Sequence, residues 1–438
     1  MPRRITFDVI HSTLNKNQSF DEAFSQHPRL NKLEPRDRNL AYNISITTLR
    51  RLGQINNIID RCLNKDLPKK GKYARIILQI GICQLLFLNT PAHAAVDTSV
   101  KLATQQSQSM YKKLINAILR RVAREGATLI EDQDIDKLNT PDWLWDSWVK
   151  EYGETTTRKI ARAHLKVPAL DLSVKSNPKL WAERLGGRML PTGSIRLLSP
   201  KNIACLNGFH DGEWWVQDAA ASIPVQLFGG DLKGKKIADI CAAPGGKTAQ
   251  LLASGAEVIA LDKSKKRIEI LEENLKRLVF SPELICVNAE IWRPKYLLDG
   301  VLIDAPCSST GTIRRNPDIK YHKNTRIVAQ AQRTQLRLLE AATEMVKPDG
   351  QIVFSTCSLQ PEEGQHVIDI FLSKHLNWQR KSILPKSLQD HTKFITKAGD
   401  IRTLPFHFNI KSKNESIKNN HNLSGMDGFF STCLIKNN

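Results

Sequence analysis

At 438 residues the chain has room for two or three domains, each with a core of its own. Its 41% hydrophobic and 25% charged residues are ordinary for a globular protein and exclude a fibrous or wholly disordered chain. The charge balance is not ordinary: 64 Lys+Arg against 44 Asp+Glu leave +20, which points to a polyanionic partner.

The excess is concentrated early, with 21 Lys+Arg against 9 Asp+Glu in residues 1–125. A field of that sign attracts nucleic-acid phosphates, and no basic amphipathic stretch pairs with lipid-facing aromatics. The opening MPRRITFDVIHSTLN lacks the apolar run of a signal peptide. "IILQIGICQLLFL", from Ile76, is too short to span a bilayer and reads as a buried helix. In "LAYNISITTLRRLGQINNIIDRCL" the residues Leu40, Ile44, Leu49, Leu52, Ile55, Ile59 and Leu63 recur near helical spacing. Residues 1–125 are therefore expected to form an all-helical, basic module. The eight cysteines show no CxxC pair and no zinc spacing, so a cytoplasmic protein with reduced thiols and no metal is expected.

From Ala127 to about Pro141 the chain turns acidic and polar, which predicts a linker. Trp143, Trp145 and Trp148 follow, a spacing that favours packing over base stacking. "ALDLSVKSN" and "SIRLLSP" predict short strands, so residues 126–234 read as a linker and a small α+β subdomain.

From Lys235 to the end, 235–438, strand and helix alternate. The strands are "KIADIC", "AEVIALD", "ELICVNA", "GVLIDAPC" and "QIVFSTCS", and they predict a parallel α/β sheet with helices on both faces. The polar stretch "FNIKSKNESIKNNHNLSG" predicts a mobile loop, and "MDGFFSTCLIK" a last strand.

The segment "KIADICAAPGGKTAQLL" tests two nucleotide motifs and fails both. A phosphate loop needs glycine where Cys241 stands, and Gly245 and Gly246 are adjacent rather than spaced G-x-G-x-x-G. What remains is Asp239 near a strand end, a glycine turn into a helix, and Asp262 closing the next strand. A carboxylate there suits two ribose hydroxyls. An adenosine site without a phosphate cradle points to S-adenosylmethionine.

"VLIDAPCSSTG" and "IVFSTCSLQPEEG" end the fourth and fifth strands, so Cys307 and Cys357 are expected to face one pocket. Carbon 5 of a pyrimidine is too weak a nucleophile to take a methyl group from a sulfonium. A thiolate adding to carbon 6 makes it nucleophilic, and a carboxyl such as Asp304 can assist at ring nitrogen 3. The base must leave its stack to reach such a pocket. Arg314, Arg315, Lys320 and Lys323 follow directly and are expected at the rim, where a phosphate grip and a solvated loop are equal readings.

"CAAPGGKT", "DAPCSSTGTIRRNPDIKY", "FSTCSLQPEEG" and "DGFF" together resemble the Sun-type RNA cytosine-C5 methyltransferases, a Rossmann-like, S-adenosylmethionine-dependent family. "NTPAHAAVDTSVKLA" and "KLINAILRRV" resemble the helical RNA-binding domain of the antitermination factor NusB. The combination resembles the bacterial enzymes that methylate a cytosine of 16S ribosomal RNA. The resemblance implies that Cys357, in the TC motif, is the nucleophile and that Cys307 assists product release. In DNA cytosine methyltransferases the PC thiol attacks instead, so spacing alone does not choose. It also implies cofactor contacts from Cys241, Ala242, Ala243, Pro244, Gly245, Gly246 and Lys247, with Asp262 and Asp304, and a contact of Lys247 and Asp304 with the target cytosine. Asn288 stands where the family has an aspartate near the adenine; its amide oxygen can accept from the adenine amine. Two other readings stay open: a NusB-like RNA-binding or assembly factor without catalysis, and a cytosine methyltransferase acting on transfer RNA.

Overall fold

The computed structural model describes residues 1–198, 202–383, 392–408 and 424–436. Two compact units are present: Met1–Leu165 with Ile313–Lys323, and Lys166–Thr312 with Asn324–Asn438.

The first unit is helical throughout its described residues. The apolar stretch from Ile76 lies in helix Lys72–Phe87, almost wholly buried from Ala74 to Gln84. Ile44, Ile55, Ile59, Ile77, Ile80, Leu119 and Val122 pack into one core, as their spacing predicts. Gly81 permits a close helix–helix approach, because a Cβ there would lie 2.7 Å from Leu119 Cδ1.

The expected linker is instead largely helical. Helix Lys112–Glu131 runs on through its first third, with Leu129 buried against the core. Trp145 and Trp148 are buried in helix Asp142–Tyr152, so they pack rather than stack on bases. Compactness groups these helices with the amino-terminal ones, in one unit that runs to Leu165.

The rim expectation also fails for two of its four basic residues. Arg314 and Lys320 are buried inside the first unit. Lys320 Nζ donates to the carbonyls of Asn139 (2.8 Å) and Arg50 (3.2 Å), and Arg50 donates back to the Arg314 carbonyl at 3.1 Å. Tyr321 Oη donates to Leu49 O at 2.9 Å, and the Phe20 amide to Asp318 Oδ2 at 3.0 Å. Helix-end carbonyls have captured the ammonium that was expected to meet phosphate or solvent at the rim. Burial, with Arg50 and Arg51 nearby, pushes Lys320 down to about 7.

The second unit holds two sheets. The smaller is antiparallel: β1 (Leu170–Val174), β2 (Gly187–Met189), β3 (Ile195–Leu197) and β4 (Trp214–Val216), in the order β2-β3-β1-β4. With helix Pro178–Arg184 it forms the expected α+β piece. Asp171 and Arg196, both fully buried, pair through two hydrogen bonds of 2.7 Å.

The larger sheet contains β5 (Lys236–Ile240), β6 (Glu257–Asp262), β7 (Glu283–Cys286), β8 (Leu298–Asp304), β9 (Val346–Thr356), β10 (Trp378–Arg380), β11 (Ile401–Thr403) and β12 (Phe429–Lys436). The order is β10-β12-β9-β8-β5-β6-β7, with β11 on β12. β5 to β9 run parallel, whereas β12 is antiparallel to β9, β10 and β11, so the sheet is mixed. Alternation feeds two cores: Val301, Ile303, Ile352 and Phe354 face one side, Leu302 and Val353 the other. The order reverses direction at β5, between β6 and β8, and ligands of such sheets sit beyond the strand ends at that point. Most of the polar stretch predicted to be mobile, residues 409–423, lies outside the described residues.

Candidate active site

β5 delivers Asp239 to the sheet centre, fully buried, where Thr248 Oγ1 donates to its Oδ2 at 2.6 Å. After Ile240 the chain turns through Cys241 (φ 62°) and Gly245 (φ 107°) into helix Gly246–Ala253. Gly245 is required twice: by its left-handed backbone, and because a Cβ would lie 2.6 Å from Leu271 Cδ1. β6 ends in buried Asp262, whose Oδ1 caps the Ser264 amide at 3.0 Å. Asn288 lies beyond the end of β7, exposed, with Oδ1 accepting from the Glu290 amide at 3.2 Å.

On the other side of β5, β8 ends in Asp304. Lys247 Nζ reaches its Oδ2 at 2.7 Å, and Ser355 Oγ donates to its Oδ1 at 3.2 Å. The Lys247 ammonium also lies 5.0 Å from the centre of the Phe429 ring, placing the "DGFF" segment at the site. Gly428 abuts the turn after Cys307: its amide donates to Gly311 O at 2.9 Å, and a Cβ on Gly311 would fall 1.9 Å from Gly428 O.

Cys307 and Cys357 meet, with sulfurs 3.5 Å apart. Their acidities diverge. The hydrogen bond from Cys307 lowers the Cys357 thiol below its usual range, against the cost of burial, with Ser309 and Lys247 helping. Cys307 is pushed well up by the same hydrogen bond and by burial. Cys241, buried near Asp262 and Asp304, is pushed up to about 12 and stays a thiol. Of the three sulfurs only Cys357 is shifted toward the thiolate, a distinction that motif spacing alone does not make.

The structure therefore brings Cys307, Cys357, Asp304 and Lys247 together at adjacent strand ends, and ranges the Cys241–Gly246 turn, Asp262 and Asn288 along the other half of the sheet. Sequence reasoning missed Glu363, which lies buried beneath both thiol loops. Its signal was an acid six residues after the TC-motif cysteine, with a serine directly following each thiol.

A doubly wound sheet with carboxylates closing its first two strands, and a thiol pair beside them, defines a nucleobase methyltransferase that uses S-adenosylmethionine. The donor chemistry fits that group: among the described residues, Asp239 Oδ1 is a buried acceptor without a hydrogen-bond donor, and buried Asp262 Oδ2 meets the Arg267 guanidinium at 3.2 Å without a well-formed hydrogen bond. Comparison with known proteins agrees. Residues 231–434 match the family model "16S rRNA methyltransferase RsmB/F", and residues 1–124 match the NusB family. Ribosomal RNA small subunit methyltransferase B of Photorhabdus laumondii is 33% identical over 391 residues, covering 85% of this chain and 90% of that protein. The crystal structure of PH0851 superposes with a TM-score of 0.72 at 21% identity, covering 100% of this chain and 99% of that one. A methyltransferase homolog from Pyrococcus horikoshii gives 0.51 at 25% identity, covering 66% and 93%.

The chain belongs to the RsmB/F family of 16S rRNA methyltransferases. It is an S-adenosylmethionine-dependent enzyme that methylates carbon 5 of a cytosine in 16S rRNA, with a NusB-type RNA-binding domain at its amino end. The transfer-RNA and non-catalytic readings give way to this one.

Proposed function

We propose that Cys357 is the nucleophile of this reaction and that Cys307 serves its release. Bound S-adenosylmethionine supplies the electrophilic methyl group. The residues that would hold it are the turn Cys241–Lys247 with Asp262, Asn288 and Asp304. The Cys357 sulfur adds to carbon 6 of the flipped cytosine, forming a C–S bond while the ring π electrons shift toward carbon 5 and nitrogen 3. The Lys247–Asp304 pair, 2.7 Å apart, suits the Watson–Crick edge: the ammonium donates to nitrogen 3, and the carboxylate accepts from the exocyclic amine. Once carbon 5 carries the methyl group, its proton must pass to a base. The electrons then re-form the 5,6 double bond and expel the Cys357 thiolate. Cys307, 3.5 Å away, supports this elimination.

The observation that carries the reading is the thiol pair, 3.5 Å apart at neighbouring strand ends beside the Lys247–Asp304 pair. Because the base must be extruded, the substrate is naked 16S rRNA or an early small-subunit particle in which the target is still accessible. The eight cysteines are all free, which supports a cytoplasmic site of action. Among the described residues no helix is long and apolar enough to cross a membrane. The test is direct. Cys357→Ala abolishes methyl transfer to 16S rRNA, whereas Cys307→Ala accumulates a protein–RNA adduct on a denaturing gel. An active Cys357→Ala enzyme overturns the assignment.

A further inference from the structure

Ser308 directly follows one thiol and Ser358 the other, and one carboxylate joins them. Glu363 lies in the short turn Pro361–Glu363 and is fully buried. Its Oε1 accepts the Ser308 amide at 2.7 Å. Its Oε2 accepts the Ser308 hydroxyl and, at 2.5 Å, the Ser358 hydroxyl. The two serine oxygens are 3.2 Å apart, and Thr310 Oγ1 lies 3.2 Å from Ser358 Oγ. Thr310 accepts the Leu359 amide at 2.9 Å, and Thr356 Oγ1 donates to the Glu363 carbonyl at 3.0 Å. Two loops fifty positions apart in sequence are thus tied at the residue next to each sulfur.

The polarity of the network is one-sided. An ionised carboxylate only accepts, and three donors converge on it, two from the Cys307 loop and one from the Cys357 loop. Burying a carboxylate is unfavourable, and an apolar residue would fill the same space at lower cost. Burial indeed pushes the Glu363 carboxyl above its usual range, against the three hydrogen bonds. A site that tolerates this gains fixed geometry for the adjacent groups, and small displacements of reacting atoms cost rate steeply.

We propose that Glu363 is a positioning residue for the methyl-transfer reaction, holding Cys307 and Cys357 at their working separation through Ser308 and Ser358. Its side-chain hydrogen bonds go to Ser308 and Ser358 rather than to either sulfur. This rests on the reading of the two thiols given above, yet the separation itself can be measured without RNA.

The experiment compares wild-type protein with Glu363→Gln, with Ser308→Ala/Ser358→Ala, and with all three changes combined. Dibromobimane, which fluoresces on bridging two nearby thiols, reads the Cys307–Cys357 separation; Cys307→Ala supplies the blank. Methyl incorporation into 16S rRNA gives kcat and KM, and calorimetry gives cofactor affinity. Glu363→Gln should lower kcat and the bridging rate together, by roughly tenfold to a hundredfold, with KM and cofactor affinity within about twofold. In the serine-less background the same change should have no further effect. Unchanged bridging and kcat overturn the proposal, as does equal loss in both backgrounds. Should Glu363→Gln fail to fold, the serine variant alone must show the kcat loss with KM unchanged, and a wild-type kcat there overturns the proposal. An active Cys357→Ala enzyme would overturn the nucleophile assignment while leaving the bridging result intact.

Discussion

Asp239 makes the folded catalytic unit sensitive to pH in a direction opposite to that of most carboxylates. Burial at the centre of the sheet raises its carboxyl from 3.8 to about 7, opposed by the Thr248 hydrogen bond and reinforced by Asp304 and Asp262. The folded state then keeps a proton that the unfolded state releases between those values. Its contribution is complete below pH 3.8 and is lost as pH rises through 7. Between pH 5.5 and 8.0 about 1.5 pH units of that interval are crossed, so cofactor-free protein should lose about 2 kcal/mol through this group. Asp239→Asn keeps an acceptor for Thr248 and cannot ionise, so that share of the pH slope should vanish. Urea unfolding at the two pH values, read by hydrogen exchange in peptides covering β5, measures the double difference between variant and wild type. Equal pH slopes in the two proteins would refute the reasoning, as would a wild-type β5 that stabilises as pH rises.

Three further outcomes follow from the same geometry. Arg196→Met leaves Asp171 buried without its partner and should cost about 3–5 kcal/mol in denaturant unfolding, while the double variant with Asp171→Leu recovers most of it. Gly311→Ala forces a methyl group onto the Gly428 carbonyl, so it should lower both the midpoint of thermal unfolding and methyl transfer, whereas Gly399→Ala, strained by its φ of 89° but with open space around it, should lower the midpoint and leave methyl transfer near wild type. Lys320→Met should destabilise the helical unit without changing the salt slope of RNA binding; a lysine that gripped a phosphate would reduce that slope by about 1.

Much of this architecture was legible because its signals are local. Strand ends carry their own chemistry, so the Cys241–Gly246 turn, Asp262, Asp304, Cys307 and Cys357 could be placed from motif and periodicity alone. Lys320 and Arg314 were misplaced because a basic residue in a loop looks the same whether it meets phosphate or a ring of backbone carbonyls. The antiparallel direction of β12 was invisible for a similar reason: strand pattern carries face, not direction. Glu363 escaped because nothing in "PEEG" says which glutamate turns inward or that both serines await it. The polar stretch from 127 to 141 read as a linker, yet apolar residues such as Leu129 at helical spacing carried the helix on into it.

The segment Ile313–Lys323 has one more consequence, for how the protein is made. A ribosome releases the first 165 residues of the helical unit long before it reaches Tyr321, and strands β1 to β8 emerge in between. Until residue 323 is synthesised, the Leu49, Arg50 and Asn139 carbonyls that receive Tyr321 and Lys320 have no partner from that segment. The helical unit therefore cannot complete its interior until that segment has been made, whereas a freestanding domain could finish first. Its last piece is threaded in from the middle of the other unit, so a fragment cut at Leu165 would lack part of its own interior.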